Sequence, residues 1–382
     1  MAKLGDFIVE ITEKTTENNQ YPVLTSSREG LVDQNEYFNK QVASKDNTGY
    51  KIIHRGQFTY RAMSDTGKFY INQLKCNDIG IVSPAYPVFE VKSDSGLSPE
   101  YLQEYFRTDL FQHAISLQSS GSTRVSLKLN KLKDVDIAIP SMVRQDFIVN
   151  NLARLRKIIE NRRSQLCLLD ELVKSRFIEM FGDPVYNQKG WETQSLESIC
   201  KTIVDCPHST PRYTDEDTGY MCIRTSIVKK NVILWDKIEY ISEEEYLNRI
   251  KRKKPEKGDI IYTREGAILG IAAIIDRECN VALGQRSMLL SPDTNKCISR
   301  FLSSAMNFDT FFNKVTEGVS GSASPHINVG SIKKFEIILP PLDLQNQFAD
   351  FVVQVDKSKL AVQKSLEQLE ILKKALMQAY FG

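Results

Sequence analysis

The 382-residue chain is poor in the residues that build catalytic and metal sites. It has only four histidines, and none stands in an H-E-x-x-H pattern. Its seven cysteines (Cys76, Cys167, Cys200, Cys206, Cys222, Cys279 and Cys297) are scattered, with no pair at C-x2-C spacing. That excludes the common zinc and redox motifs. An odd count also speaks against a disulfide framework, so these thiols read as small, buried hydrophobes. No G-x-G-x-x-G or G-x-x-x-x-G-K run is present to cradle a dinucleotide or phosphates. The nearest approach to an amino-methyltransferase motif is Asp183-Pro184-Val185-Tyr186. It lacks the second proline and follows Gly182 at the end of a periodic segment, so it reads as a helix stop. The expectation is a protein without catalytic residues, metal or cofactor.

Long apolar runs are absent too. Nothing approaches the roughly 18 residues of a membrane span, and Met1-Ala2-Lys3-Leu4-Gly5-Asp6 lacks the apolar core of a signal peptide. The expected compartment is the cytoplasm. Net charge is +2, so composition alone does not announce a nucleic-acid binder. Basic residues would have to be concentrated locally, as in Arg249-Ile250-Lys251-Arg252-Lys253-Lys254, which reads equally as a solvated loop. A hydrophobic content of 41% and a charged content of 26% suit a globular protein, and the length exceeds one ordinary core.

What the sequence does have is a copy of itself. At an offset of 200, residues 121–182 align without a gap to residues 321–382, with thirteen of sixty-two positions identical. The identities include Gly121/Gly321, Ser122/Ser322, Lys133/Lys333, Ile137/Ile337, Pro140/Pro340, Gln145/Gln345, Phe181/Phe381 and Gly182/Gly382. Upstream, Tyr101-Leu102 pairs with Phe301-Leu302, and Asp109 and Phe111 pair with Asp309 and Phe311. Before residue 97 the register loosens, and Asn77-Asp78-Ile79 matches Gly258-Asp259-Ile260 at an offset of 181. A period this long is a duplicated domain, not a solenoid of short repeats.

Each copy ends in a heptad. Ile148, Leu152, Leu155, Ile159, Leu166, Leu169, Val173 and Met180 step by four and three, with Arg162 and Arg176 interrupting. Phe348, Val352, Val355, Val362, Leu366, Leu369, Leu376 and Tyr380 repeat the frame, with Lys359 and Lys373 interrupting. Neither segment contains proline or glycine between 145 and 181 or between 345 and 381, so each is predicted as one helix of roughly 55 Å. Two seams in one chain can satisfy each other as an antiparallel pair. Before each helix come a Gly-Ser loop and a strand ending in proline, Val135–Pro140 and Phe335–Pro340.

These phrases resemble the specificity (S) subunit of Type I restriction–modification systems. The shared ones are the Gly-Ser loop leading to Ile-x-x-Pro and Gln at 121–145 and 321–345, and the helix running from Leu172-Val173-Lys174 to Phe181-Gly182, again from Leu372-Lys373-Lys374 to Phe381-Gly382. Lys257-Gly258-Asp259-Ile260-Ile261 and Gly266-Ala267 with Gly270-Ile271 add to the likeness, with Asn77-Asp78-Ile79 as the first domain's divergent counterpart. The resemblance implies an α+β fold with an internal pseudo-two-fold duplication: two globular α/β target-recognition domains separated by a pair of long antiparallel coiled-coil helices. It also implies the order 1–140 (target-recognition domain), 141–183 (spacer helix), 184–340 (second recognition domain) and 341–382 (second spacer helix).

The same resemblance implies a non-catalytic subunit that binds double-stranded DNA, two methylation subunits and, in the full complex, restriction subunits, with no membrane. The helices become a docking platform and a ruler covering more than one DNA turn of roughly 34–36 Å, over an asymmetric bipartite site with an unread spacer. Leu152, Leu155, Arg162, Leu166 and Leu169, with Val352, Val355, Lys359, Leu366 and Leu369, are the helix residues expected to meet partners. The other reading is a DNA-binding or coiled-coil adaptor without a methyltransferase partner; co-purification of a methylation subunit separates the two.

Base reading needs forked donors, and phosphate contacts favour cations. On that ground the first domain offers Arg28, Arg55, Gln57, Tyr60, Arg61, Lys68 and Arg124, with Ser26 beside them. The second offers Arg212, beside Tyr213, with Arg224, Lys229, Lys230, Arg252, Arg264 and Arg286. For each, the alternative is a surface or ion-paired side chain.

Overall fold

The structure is a computed structural model describing residues 2–34, 46–75, 77–117, 125–317 and 325–382. Cys76, Arg124 and both Gly-Ser loops lie outside the described residues. Two compact units emerge: residues 1–163 with 364–382, and residues 164–363. Each long helix therefore contributes one half to each unit.

The first unit is built on a four-stranded antiparallel sheet in the order Ile8–Ile11, Val88–Val91, Phe58–Thr59, Asn72–Gln73. The second repeats it with Cys200–Asp205, Ser287–Pro292, Ile260–Thr263 and Ala272–Ile274. Two short helices pack on each sheet. In the first unit they are Pro99–Phe106, capped by the Ser98 hydroxyl accepting from the Tyr101 N–H, and Asp109–Ser116, capped by Thr108 accepting from the Phe111 N–H. Such caps satisfy amide donors that a helix start leaves bare. Ser299–Met306 and Asp309–Thr316 take their place in the second unit. Each globular part closes on itself: Ala2–Lys3 pairs with Asp136–Ile137, and Thr193–Ser195 pairs with Glu336–Ile338.

One expected correspondence is overturned here. Asn77-Asp78-Ile79 opens a strand that pairs with Lys51–His54 outside the four-stranded sheet. The structural equivalent of Lys257-Gly258-Asp259-Ile260 is Arg55-Gly56-Gln57-Phe58. Gly56 (φ 92°) donates to the Leu74 carbonyl as Gly258 (φ 94°) donates to that of Ile275. The Gln57 N–H turns back to the His54 carbonyl as that of Asp259 does to Glu256. A backbone in the left-handed region, easy only for glycine, is what the two segments share.

The long helices run over Met142–Phe181 and Leu342–Phe381, 40 residues each. Residues 145, 148, 152, 155 and 159 are buried, as are 345, 348, 352, 355 and 362. The interrupting charges Arg162, Arg176, Lys359 and Lys373 stay on that stripe, half-buried, as long side chains can while their heads reach water. Within the first unit the helices are antiparallel: Asn151 donates to the Tyr380 hydroxyl (3.3 Å) and Arg163 meets Glu370 (2.7 Å). Within the second, Phe177 packs on Phe348 at 5.4 Å, and Lys359 pairs with Asp170.

The helix starts are pinned alike. The side chain of Gln145, wholly buried, accepts from the Ser98 N–H (2.7 Å) and donates to the carbonyls of Gly96 and Pro140 (2.8 Å each). Gln345 accepts from the Ile298 N–H (2.9 Å) and donates to Lys296 and Pro340. The helix stop at Gly182 (φ 77°), followed by Pro184, is as the sequence suggests. Among the described residues no helix is long and apolar enough to cross a membrane.

Candidate nucleic-acid interface

The inner strands of the four-stranded sheets, Phe58–Thr59 with the start of Val88–Val91 and Ile260–Thr263 with Ser287–Pro292, are buried, so the candidate reading surfaces are the loops at the rims. In the first unit, Arg28 sits at the tip of the hairpin Leu24–Ser26/Leu31–Asp33, where Ser27 N–H and hydroxyl both donate to the Gly30 carbonyl. Its guanidinium has no partner among the described residues, and neither has the ammonium of Lys68, held on the turn where Ser64 donates to its carbonyl. Ser26 ties the hairpin to the Tyr70 carbonyl at 2.8 Å. Arg61 lies 3.9 Å from Asp65, and Arg55 is paired with Asp78 at 2.9 Å.

Two candidates of this domain prove internal. Tyr60 is wholly buried, its hydroxyl donating to the Leu127 carbonyl, and burial pushes its ionisation upward. Gln57 is buried too, accepting from the His54 N–H and donating to Glu90 (2.9 Å each). Both flank the strand Phe58–Thr59, where residues 57–60 are buried in succession because both faces of the strand are covered.

In the second unit, Arg264 is also a structural residue. Its buried guanidinium grips Asp205 at 2.9 and 3.2 Å and meets Glu265 at 2.9 Å. The start of the basic stretch is likewise no patch. Arg249, 2% exposed, is held by Glu245 and donates to the carbonyls of Leu283 and Ser209. Lys253 is paired with Glu256. Arg224 donates to both oxygens of Glu239 (2.8 and 2.9 Å), which holds its ionisation above the usual arginine range, and stacks over Tyr213 at 5.1 Å. Lys230 is bound to Asp309. Arg212, Lys229 and Arg286 stay exposed, with no side-chain partner among the described residues.

Several of these converge. The loop 205–213 and the turn 283–287 are joined by Thr210 donating to Gln285 (3.2 Å), by Arg249 clamping both, and by the Cys206 N–H on the Ser287 carbonyl. The Arg264 N–H donates to the Arg286 carbonyl, and Arg252 donates to the Asp205 carbonyl. Arg212, Arg252, Arg264 and Arg286 therefore share one loop cluster, while Lys229 lies on a separate hairpin, Val228–Lys229/Val232–Ile233. Sequence reasoning passed over Gln285; the signal for it was a forked pair, Gln-Arg, following glycine just ahead of a strongly apolar strand.

On the helices, Leu152, Leu155, Val352 and Val355 are buried inside their own units, and Arg162, Leu166, Leu169, Lys359, Leu366 and Leu369 are half-buried along the same stripe. They form the intramolecular seam, which leaves the four buried ones no surface for a partner. The apolar side chains open to solvent are others: Met142, Val143, Phe147, Ile158, Leu168, Leu172 and Ile178 on the first helix, and Val353, Leu360, Ile371 and Leu372 on the second.

A duplicated α+β domain with rim loops rich in forked donors, each joined to a long heptad helix, defines a two-domain recognition subunit. A family model described as the Type I restriction modification DNA specificity domain matches residues 3–167 and again 188–371. The chain belongs to that family. It is 27% identical over 304 residues to the Type I restriction enzyme MjaIX specificity subunit of Methanocaldococcus jannaschii, covering 74% of this chain and 68% of that one. To the MjaVIII specificity subunit of the same organism it is 21% identical over 401 residues, covering 99% and 90%. Among solved structures, a Type I S subunit from M. genitalium shares the fold with a TM-score of 0.55 at 14% identity, over 100% of this chain and 95% of that one. A chain from a structure concerned with complex assembly and conformational transition of the Type I system does so at 0.56 and 16%, over 100% and 97%.

Proposed function

We propose that this chain reads DNA sequence for a Type I restriction–modification complex and performs no chemistry itself. It binds an asymmetric bipartite site in double-stranded DNA, one half-site per recognition domain. It docks two methylation subunits and, in the full assembly, restriction subunits, in the cytoplasm. The observation that carries this reading is the contrast between scaffold and rim. The sheet order, the glutamine clamp and the helix seam recur in both units, whereas the loops that could face DNA carry unlike side chains, Arg28 and Lys68 in one against Arg212 and Arg286 in the other. The exposed apolar residues of the helices, with Leu172 and Leu372 at matching positions, are the surface proposed for the methylation subunits.

The test is methylome sequencing of a host that expresses the chain with the methylation subunits of its operon. A two-part motif with unlike halves is expected, and it should vanish without this chain. A palindromic motif, or none, would overturn the reading.

A further inference from the structure

The turn Gly284-Gln285-Arg286 joins the buried strands Val281–Leu283 and Ser287–Pro292. Arg286 holds φ 72° there, a left-handed conformation that costs a side-chain-bearing residue free energy and persists only where the surroundings impose it. The surroundings do impose it. Gly284 donates to the Ile223 carbonyl, and a Cβ on Gly284 would lie 2.9 Å from that oxygen. The carbonyls of Leu283, Arg286 and Ser287 are held by Arg249, by the Arg264 N–H and by the Cys206 N–H, at 3.2, 3.0 and 3.2 Å.

The side chains, by contrast, are left available. Gln285 accepts from Thr210, which orients its amide and leaves the NH2 as donor. Arg286 is exposed beside Gly266, where a Cβ would come within 3.4 Å of Nη1. Unlike Arg55, Arg224 and Arg264, it meets no carboxylate among the described residues. The repeat supplies an internal control. In the first unit, between Ile79–Val82 and Val88–Val91, the strand register (Phe58 opposite Phe89, Ile260 opposite Leu290) puts Pro84 and Ala85 at these two positions. The framework is shared and its two tip residues are replaced outright.

We infer that Gln285 and Arg286 are a base-reading pair of the second recognition domain. The Arg286 fork takes the O6 and N7 acceptors of a guanine in the major groove, and the Gln285 amide takes the neighbouring base. This rests on the DNA-reading function proposed above.

The test compares Arg286→Gly and Arg286→Lys with the parent chain, each assembled with the same methylation subunits, by methylome sequencing and thermal melting. Glycine is at ease at φ 72°, so Arg286→Gly should melt within about 2 °C of the parent or above it. It should nevertheless lose discrimination at one position of one half-site by about 10- to 100-fold, with the other half-site unchanged. Arg286→Lys keeps the charge but not the fork, and should relax the same position; retention of full fidelity by the lysine variant would show that a positive charge suffices there without the fork, and would overturn the proposal. An unchanged motif in Arg286→Gly would overturn it as well, as would relaxation in both half-sites. A parent chain that yields no two-part motif would sink the underlying function first, and the parent sample alone would reveal that.

Discussion

Phe177 lies on the last turns of the first long helix, 1% exposed, with the rings of Phe181, Phe301, Phe308 and Phe348 at 5.1, 5.6, 5.4 and 5.4 Å. The repeat places Met377, half-buried beside the core of the other unit, at the matching position. Truncating a buried phenylalanine costs about 3–5 kcal/mol, and four ring contacts place this one toward the upper end. Met377→Ala removes a smaller, partly wet side chain, for about 1–2 kcal/mol. Both tryptophans, Trp191 and Trp235, belong to residues 164–363, and the Trp191 indole donates to the Phe181 carbonyl at 2.9 Å. Urea titration followed by tryptophan fluorescence therefore reports the second unit alone, whereas far-UV circular dichroism reports both. At a slope of roughly 2 kcal/mol per molar urea, Phe177→Ala should lower the fluorescence midpoint by about 2 M. Met377→Ala should leave it in place and shift only part of the dichroism transition. Equal fluorescence shifts for both variants would refute the assignment of the two helix ends to separate units.

The glutamine clamps should behave as a matched pair: Gln145→Ala and Gln345→Ala each strand three backbone groups and should cost about 2–4 kcal/mol, and a loss under about 1 kcal/mol in denaturant titration would argue that water replaces the amide. Glu104, 3% exposed, is held by Arg107 (3.1 Å) and Arg156, so Arg156→Ala should destabilise by about 2–3 kcal/mol, Arg107 remaining to offset the rest. A more open pair of opposite polarity, Arg300–Asp356 at 3.4 Å, lies in the second unit, with Asp356 at the position of Arg156 and Arg300 one turn before that of Glu104; Asp356→Ala should cost less than about 1 kcal/mol, and equal losses would contradict the difference in burial. Iodoacetamide at pH 8 should modify exposed Cys167 first among the described cysteines, because burial pushes Cys200 and Cys222 up to about 12 and raises Cys206 and Cys297 as well. Peptide mass spectrometry that found Cys222 labelled as fast would show the pairing of Met221–Ile223 with Glu239–Ile241 and Val281–Leu283 opening readily.

The helices were legible because their signal is local. Apolar steps of three and four, with no proline or glycine, place residues 152, 155, 352 and 355 on a buried stripe whatever lies around them. The strand opening of the first domain was not. Arg55-Gly56-Gln57-Phe58 shares one identity with Lys257-Gly258-Asp259-Ile260, and what unites them is a backbone angle, so Asn77-Asp78-Ile79 looked the better match. The rim residues were harder still. A guanidinium suits a carboxylate as well as a base, and nothing near Arg264 in sequence announces that Asp205, 59 residues earlier, will hold it. Tyr60 likewise looked like an aromatic contact beside basic residues, but its place in the strand turns it inward.

The division of the chain into 1–163 with 364–382, against an unbroken 164–363, has a consequence for synthesis. Translation at about 5–20 residues per second leaves roughly 10–40 s between the two pieces of the first unit. Through that interval Tyr101 and Tyr105 lack the Phe381 ring that covers them at 5.2 and 6.2 Å, and the second unit has its whole sequence before residue 364 is added. An apolar face waits open on the nascent chain, the natural substrate for a chaperone. The domain that leaves the ribosome first is the one completed last.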